Sequence, residues 1–545
     1  MSEHHPRSPH RPAAWVGAWS QRRASLSPDR VGLVDVNTGR EFTYADLDRR
    51  ANRVARLLSE HDVTADDDGD VGGRVAVVSR NRPELVDLFF ATGKTGGVLA
   101  PLSHRLATPE LRALLDNVDP ELLVVEEPFD DQVRAVLDHD DRTFDCPILS
   151  LPTDGDHAWD AFDEALPAED RAVETATLSM DDAHLFLHTG GSTGTPKETV
   201  ITHGGVVWNS VNTITAWGLR EDDVTPMVFP MFHTGGWNVI TVPIWHMGGT
   251  VLIAREFDPG EILRLIEDRK STVLIAVPAV LRAMSSHDWW TETDLSTLRF
   301  VKSGGGPCRE SVMDAWWDRG VELSQGYGLT ECGPNNFAMP DDWPREKADS
   351  VGVPDLHVET RIVEDGDRVE PGEIGELEIA SPHGADRYWG NETETAEAFG
   401  GGVTDGSPGP DADRGWISTG DLARVDEEGY HYIEGRKKHM FVSGGENVYP
   451  AAVEDAIADH PTVAEVVVVP IPDEQWGQVG RAVVELADDA EETDLDLATL
   501  REFLDDRLAR FKHPRDLAFV ASMPTSGPSK IDREAVAERF GESIE

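Results

Sequence analysis

The chain has 545 residues, and 39% of them are hydrophobic, enough for sizeable cores and too many for a disordered chain. Asp and Glu number 101 against 49 Lys and Arg, a formal net charge of −52. That surplus argues against a nucleic-acid binder, which needs basic patches, and against docking on anionic lipid. The acids are spread along the chain, as in Asp66–Asp68, Asp138–Asp141 and Glu491–Glu492. A solvated surface is the plain reading. Adaptation to a saline cytosol, where salt screens the repulsion, accounts better for so large an excess.

The first residues, Met1 to Pro12, are rich in His, Pro and Arg and lack the apolar core of a signal peptide. Thr43 to Glu60 reads as a capped amphipathic helix. Leu47, Val54, Leu57 and Leu58 face inward, and Arg49, Arg50 and Arg53 face outward. An acidic, Gly-rich insert from Asp62 to Gly73 follows. Arg74–Ser79 is a β-branched strand and Pro83–Thr92 a helix. The same rhythm returns at Leu122–Glu126, Val251–Ala254 and Thr272–Val277, which predicts an α/β architecture with largely parallel sheets. Val224 to Ala254 is uncharged, but prolines, histidines and paired glycines interrupt it, so buried strands fit better than a membrane helix. Cys146, Cys308 and Cys332 are far apart and in no CxxC spacing, pointing to a reducing compartment without structural zinc.

Gly400 to Gly415 is a Gly/Pro/Asp loop, and Trp416 to Gly435 a strand–turn–strand unit around Asp426–Gly429. Beyond Arg436 the pattern becomes compact α+β: helix 450–460, strand 463–470, strand 482–486, helix 497–510 and strand 516–520. We therefore expect a large domain over 1–435 and a small mobile lid over 436–545.

Four stretches carry chemistry. His188 to Lys197 (HTGGSTGTPK) combines glycines, which let a ligand approach the backbone, with hydroxyls and a cation. It suits nucleotide phosphates. A Walker A loop is excluded because Thr195-Pro196 separates Gly194 from Lys197. The G-x-S-x-G pattern of a nucleophile elbow is present literally. That motif leads into a helix, however, and Pro196 with the β-branched run after it predicts a hairpin. A plain Gly/Ser/Thr turn is the remaining alternative. Ser324 to Glu331 (SQGYGLTE) follows the Gly304-Gly305-Gly306 turn. It offers a flat ring, Tyr327, a hydroxyl, Thr330, and a hard carboxylate for Mg²⁺, Glu331. Trp416 to Pro450 contains Asp421 after a Thr-Gly turn, Arg436, and the flexible Ser443-Gly444-Gly445 loop. Gly527 to Asp532 contains Lys530, which taken alone is a surface charge.

In this order and spacing the four stretches resemble the adenylate-forming superfamily: acyl-CoA synthetases, aryl-CoA ligases, luciferases and nonribosomal adenylation domains. The resemblance runs from about Arg40 to Asp532. It implies an AMP-forming acid–thiol ligase with ATP, Mg²⁺ and coenzyme A as cofactors. It implies that Thr189, Gly190, Gly191, Ser192, Thr193, Gly194 and Lys197 hold the ATP phosphates. Gly304, Gly305, Gly306, Gln325 and Tyr327 would surround adenine. Thr330 would touch the α-phosphate and Glu331 the Mg²⁺. Asp421 would hold the ribose with Arg436 nearby. Lys530 would bridge carboxylate and α-phosphate, Lys438 would be the hinge, and His233 would stand at the acyl pocket. Ser443, Gly444 and Gly445 would face the second half-reaction. His188, Glu198 and Ser529 depart from the family, which usually has an aromatic, Gly and Gly there.

The pocket wall is read as His233–Asn238, Val277–Val280 and Ser303–Gly306, and the glycines at 235, 236 and 304–306 leave room for a medium or long acyl chain or an aryl group. No basic residue in the stretches read as the pocket wall would pair with a second carboxylate, which favours a fatty or aryl monocarboxylate. The expected acceptor is coenzyme A. The alternatives are a stand-alone enzyme loading a carrier protein, a luciferase-type oxygenase, and a non-catalytic nucleotide sensor. We expect a cytoplasmic monomer or homodimer.

Overall fold

The computed structural model describes residues 15–66, 71–138, 143–153, 155–189, 197–399, 415–443, 446–473, 476–487, 490–505, 507–526 and 530–541, with Ser526 and Lys530 as backbone. Two compact units divide the chain. The first holds residues 1–360 and 379–418, the second residues 361–378 and 419–545.

In the first unit the helix Tyr44–Glu60 begins where Thr43 accepts from the Asp46 N–H while Asp46 accepts from the Thr43 N–H. This reciprocal cap satisfies donors that a helix start leaves open. Leu47, Val54, Leu57 and Leu58 are buried, as their spacing predicts. Arg50 differs from the sequence reading. It does not point freely outward but reaches the buried Asp87 of the helix Pro83–Thr95, with its Nε 2.9 Å from Oδ1. The reason is local: a carboxylate shut away from water needs a cation beside it.

The main sheet has seven strands. Arg74–Val78, Val98–Leu102, Leu122–Glu126, Ile148–Leu151 and Ala183–Thr189 run parallel, and Lys197–Thr202 turns back antiparallel on the last of these. The short strand Arg387–Tyr388 completes that edge. The parallel strands are mainly apolar and largely buried, because helices cover both faces. A second, three-stranded parallel sheet joins Val273–Ala276, Phe300–Ser303 and Leu323–Gln325. Its own core centres on Leu274, Val301, Leu323 and Trp316.

In the second unit residues 421–425 pair with His431–Arg436 in the expected hairpin, with Asp426 and Gly429 in its turn and Gly429 at φ +90°. Val463–Asp473, Gly477–Leu486 and Asp516–Val520 build the sheet of the C-terminal part, with helices Pro450–Ala458 and Leu497–Leu504 packed through Val453, Ile457, Leu500 and Leu504. Among the described residues no helix is long and apolar enough to cross a membrane.

Candidate active site

The three parallel strands of the second sheet end side by side. The Gly304 N–H donates to Ala276 O at 3.1 Å, and the Gly326 N–H to Ser303 O at 2.7 Å. Val277, Gly304–Gly306 and Gly326–Tyr327 therefore lie together beyond the carboxyl ends of their strands, the place where open α/β sheets bind ligands. Gly305 takes φ +84°, and a Cβ on Gly304 or Gly306 would meet nothing closer than 3.9 Å. Gln325 is buried and its side chain is fully engaged. Its Oε1 accepts from the Cys308 N–H at 2.9 Å, and its Nε2 donates to Ala348 O at 2.8 Å. It thus braces the 304–308 turn and leaves Tyr327, half-buried against Phe337, as the flat ring of the pair. Gly328 is required by crowding, since a Cβ there would stand 2.2 Å from Pro334 O.

Thr330 is buried and Glu331 half-buried in the loop that follows. Tyr388 donates its phenolic hydrogen to Glu331 Oε1 at 2.9 Å. The Lys197 ammonium lies 5.1 Å from the centroid of the same Tyr388 ring. Lys197 Nζ also makes ion-pair contact with Glu394 Oε2, outside hydrogen-bond alignment. Three segments far apart in sequence thus converge: the lysine of the first stretch, the glutamate of the second, and the segment carrying Tyr388 and Glu394. Sequence reasoning missed the last two. Arg387–Tyr388 pairs with Val200–Thr199 at the sheet edge, and only that pairing brings Tyr388 beside Lys197.

The hairpin reading of the first stretch holds for its flanks. Thr189 opposes Lys197 and His188 opposes Glu198 across Ala183–Thr189 and Lys197–Thr202, so the helix of a nucleophile elbow is absent there. Gly190, Gly191, Ser192, Thr193 and Gly194 lie outside the described residues. His188 stacks on Phe232 with ring centroids 5.8 Å apart and planes 23° apart. Burial, and then His233 beside it, lower its pKa to about 4, so the ring is a neutral aromatic where the family has an aromatic. Glu198 is shut off from solvent with both carboxyl oxygens unpartnered among the described residues. Burial pushes its pKa up to about 8, so at neutral pH it holds a proton.

His233 is exposed, and its Nδ1 accepts from the Gly235 N–H at 3.1 Å, which leaves the hydrogen on Nε2. Gly235 and Gly236 do not open the pocket as their size suggested. A Cβ at either would stand 2.6 Å from Phe229 Cδ1 or Pro230 O, so both allow close packing. Trp237 behind them is wholly buried and stacks on Phe89 at 5.0 Å. Lys302, one residue before the stretches read as pocket wall, is also buried. Its Nζ donates to Ser324 Oγ at 3.2 Å, and it faces the charge of Asp355. Burial raises Asp355 to about 7 even so.

In the second unit Asp421 and Arg436 oppose each other across the 417–436 hairpin, with Arg436 Nε 2.8 Å from Asp421 Oδ1. Arg436 also donates to Thr419 O at 3.1 Å, and Gly420 turns at φ +69°. Asp421 is buried, so the guanidinium secures a carboxylate that has little water. Lys438 lies in a single 3₁₀ turn, Lys437–His439, and its Nζ donates to Glu534 Oε1 at 2.7 Å. Ser443 is buried at the end of the strand Phe441–Ser443. Gly444 and Gly445 lie outside the described residues. The backbone of Lys530 pairs with Ser526 in a two-residue-strand hairpin.

Residues 20–389 match the AMP-binding enzymes, and residues 452–530 match the AMP-binding enzyme C-terminal domain. The chain is 34% identical to a feruloyl-CoA synthase of an Amycolatopsis species over 96% of this chain and 99% of that one. It is 33% identical to the indoleacetate–CoA ligase of Aromatoleum aromaticum, over 96% and 98% of the two chains. Its fold is similar to the o-succinylbenzoate CoA synthetase MenE from Bacillus subtilis, solved with the acyl-adenylate intermediate OSB-AMP. That match has a TM-score of 0.81 and 25% identity, and covers 98% of this chain and 100% of the other.

Proposed function

The chain belongs to the AMP-binding enzyme family, and from that premise we propose that it joins a carboxylic acid to coenzyme A at the expense of ATP. A carboxylate is a poor electrophile because oxide leaves badly. Attack on the α-phosphate of ATP gives an acyl-adenylate and pyrophosphate, and a thiol then displaces AMP. The observation that carries this reading is the cluster of Lys197, Tyr388 and Glu331. It gathers a cation for phosphate oxygens and a carboxylate for a metal around one tyrosine, in a chain whose net charge is −52.

Attack of one anion on another needs positive charge in place beforehand. In this reading Lys197 meets the departing pyrophosphoryl group and Lys530 the carboxylate and α-phosphate. The Gly304–Gly306 turn and the Tyr327 ring receive adenine. Asp421 accepts from the ribose hydroxyls, held in place by Arg436. Among the described residues no three His, Cys, Asp or Glu side chains form a metal cage. A single carboxylate, Glu331, fits Mg²⁺, which would take its other oxygens from phosphates and water, and the Thr330 hydroxyl is left for the α-phosphate. When bound, Mg²⁺ offsets charge on the leaving pyrophosphate. Because the two steps need different groups at one carbonyl, we assign Lys530 to the first and the Ser443-Gly444-Gly445 loop to the second, with Lys438 as the pivot of a lid over 436–545.

The acid is an aryl or fatty monocarboxylate. Feruloyl and indoleacetyl specificity in two relatives supports the aryl side. The ammonium of Lys302 is engaged with Ser324 and faces Asp355, which leaves it poorly placed to hold a second carboxylate. The acid surplus supports work in a saline cytosol. Acid-dependent exchange of labelled pyrophosphate into ATP tests the first step. Exchange without CoA supports the reading, and its absence with every aryl and fatty acid tried overturns it.

A further inference from the structure

Lys197 has a resident anion. Its side chain is 14% exposed and that of its partner Glu394 19%, so the pair is mostly withdrawn from water. Attraction there is stronger than on an open surface. Each partner sits on a defined element. Lys197 is fixed by strand pairing opposite Thr189 and lies over the Tyr388 ring. Glu394 stands in the first turn of the helix Glu392–Phe399, its N–H capped by Asn391 Oδ1 at 3.1 Å. Thr395 Oγ1 accepts from the Tyr388 N–H at 3.0 Å, which ties that helix to the strand carrying the ring.

We propose that Glu394 is a built-in counter-anion that competes with pyrophosphate for Lys197 and so helps the enzyme release its first product. This rests on Lys197 being a phosphate ligand. A pyrophosphoryl group arriving at the ammonium meets a carboxylate already there and must share or displace it. When pyrophosphate leaves, the carboxylate takes the ammonium back, so no bare cation is left in a site mostly withdrawn from water. The helix N-terminus steadies the negative charge of Glu394 between those events.

Calorimetric titration of inorganic pyrophosphate into the full-length protein tests this at one fixed salt concentration. Glu394→Gln keeps the shape and removes the charge, and it should bind pyrophosphate about tenfold tighter than the parent, a change of about 1.4 kcal/mol. Glu394→Ala should shift the same way, and Glu394→Asp should stay near the parent. Equal or weaker binding by both uncharged variants, with the parent binding normally, overturns the proposal and leaves the ligase reading standing. No pyrophosphate binding by parent or variants removes Lys197 as a phosphate ligand and overturns both.

Discussion

Tyr388 gives its hydroxyl hydrogen to Glu331 at 2.9 Å while its ring lies beneath the Lys197 ammonium. One side chain therefore sets the spacing between the carboxylate assigned to the metal and the cation assigned to phosphate. Tyr388→Phe keeps the ring and removes the hydrogen bond. A hydrogen bond to a charged group contributes about 1.5–3 kcal/mol, so loss of this one should raise the KM for MgATP about tenfold or more. The KM for the acid should not move. Steady-state kinetics with each substrate varied in turn will separate the two. A change confined to the acid would detach Tyr388 from the nucleotide site.

Glu198 makes stability depend on pH. Its carboxyl titrates near 8 when folded, against 4.5 for an ordinary Glu. Between those values the folded chain keeps a proton that the unfolded chain has released. Stability from this group therefore falls as pH rises from about 4.5 to about 8, by on the order of 5 kcal/mol, and is level above. Glu198→Gln should melt higher than the parent at pH 8, with the gap closing toward pH 5. Parallel melting curves for the two proteins across that range would show that Glu198 is not buried neutral.

His188 stands where the family has an aromatic and stacks on Phe232 as a neutral ring. His188→Phe should retain most of the activity, within about threefold, because stacking rather than charge is what the site uses. His188→Ala should lose more, by removing the face against Phe232 next to His233. Loss of activity in the Phe variant equal to that in the Ala variant would assign the imidazole a hydrogen-bonding role instead.

The acid surplus predicts dependence on salt. At about 0.01 M ionic strength the Debye length reaches roughly 30 Å, and carboxylates repel across the surface. The melting temperature should rise steadily as KCl goes from dilute to molar. A flat profile would reduce the 101 acids to a well-solvated surface.

Local features were legible where local chemistry decides them. Thr43 announced a helix start, the β-branched run after Lys197 a strand, and Asp426–Gly429 a turn. Contacts set by the sheet edge were not. Nothing near Tyr388 in sequence says that it pairs beside Thr199, or that Glu394 in the helix that follows will reach Lys197. The glycines at 235 and 236 misled because small size reads the same whether it opens a pocket or lets backbones touch. Lys302 lay one residue outside the stretches taken as the wall, and its neighbours, Ser324 opposite it on the next strand and Asp355 on a loop, are distant in sequence.

The central claim, a two-step ligase working through an adenylate, is tested most directly by following AMP release with aryl and fatty acids, with and without CoA, in the parent and in Lys530→Ala. The parent should release AMP and form a thioester only when acid, ATP and CoA are all present. Lys530→Ala should lose about 10²–10³ of that rate, as for other groups that stabilise transition-state charge. It should still convert a supplied acyl-adenylate to thioester. Release of ADP in place of AMP, or equal loss of both half-reactions in a folded Lys530→Ala protein, would contradict the account.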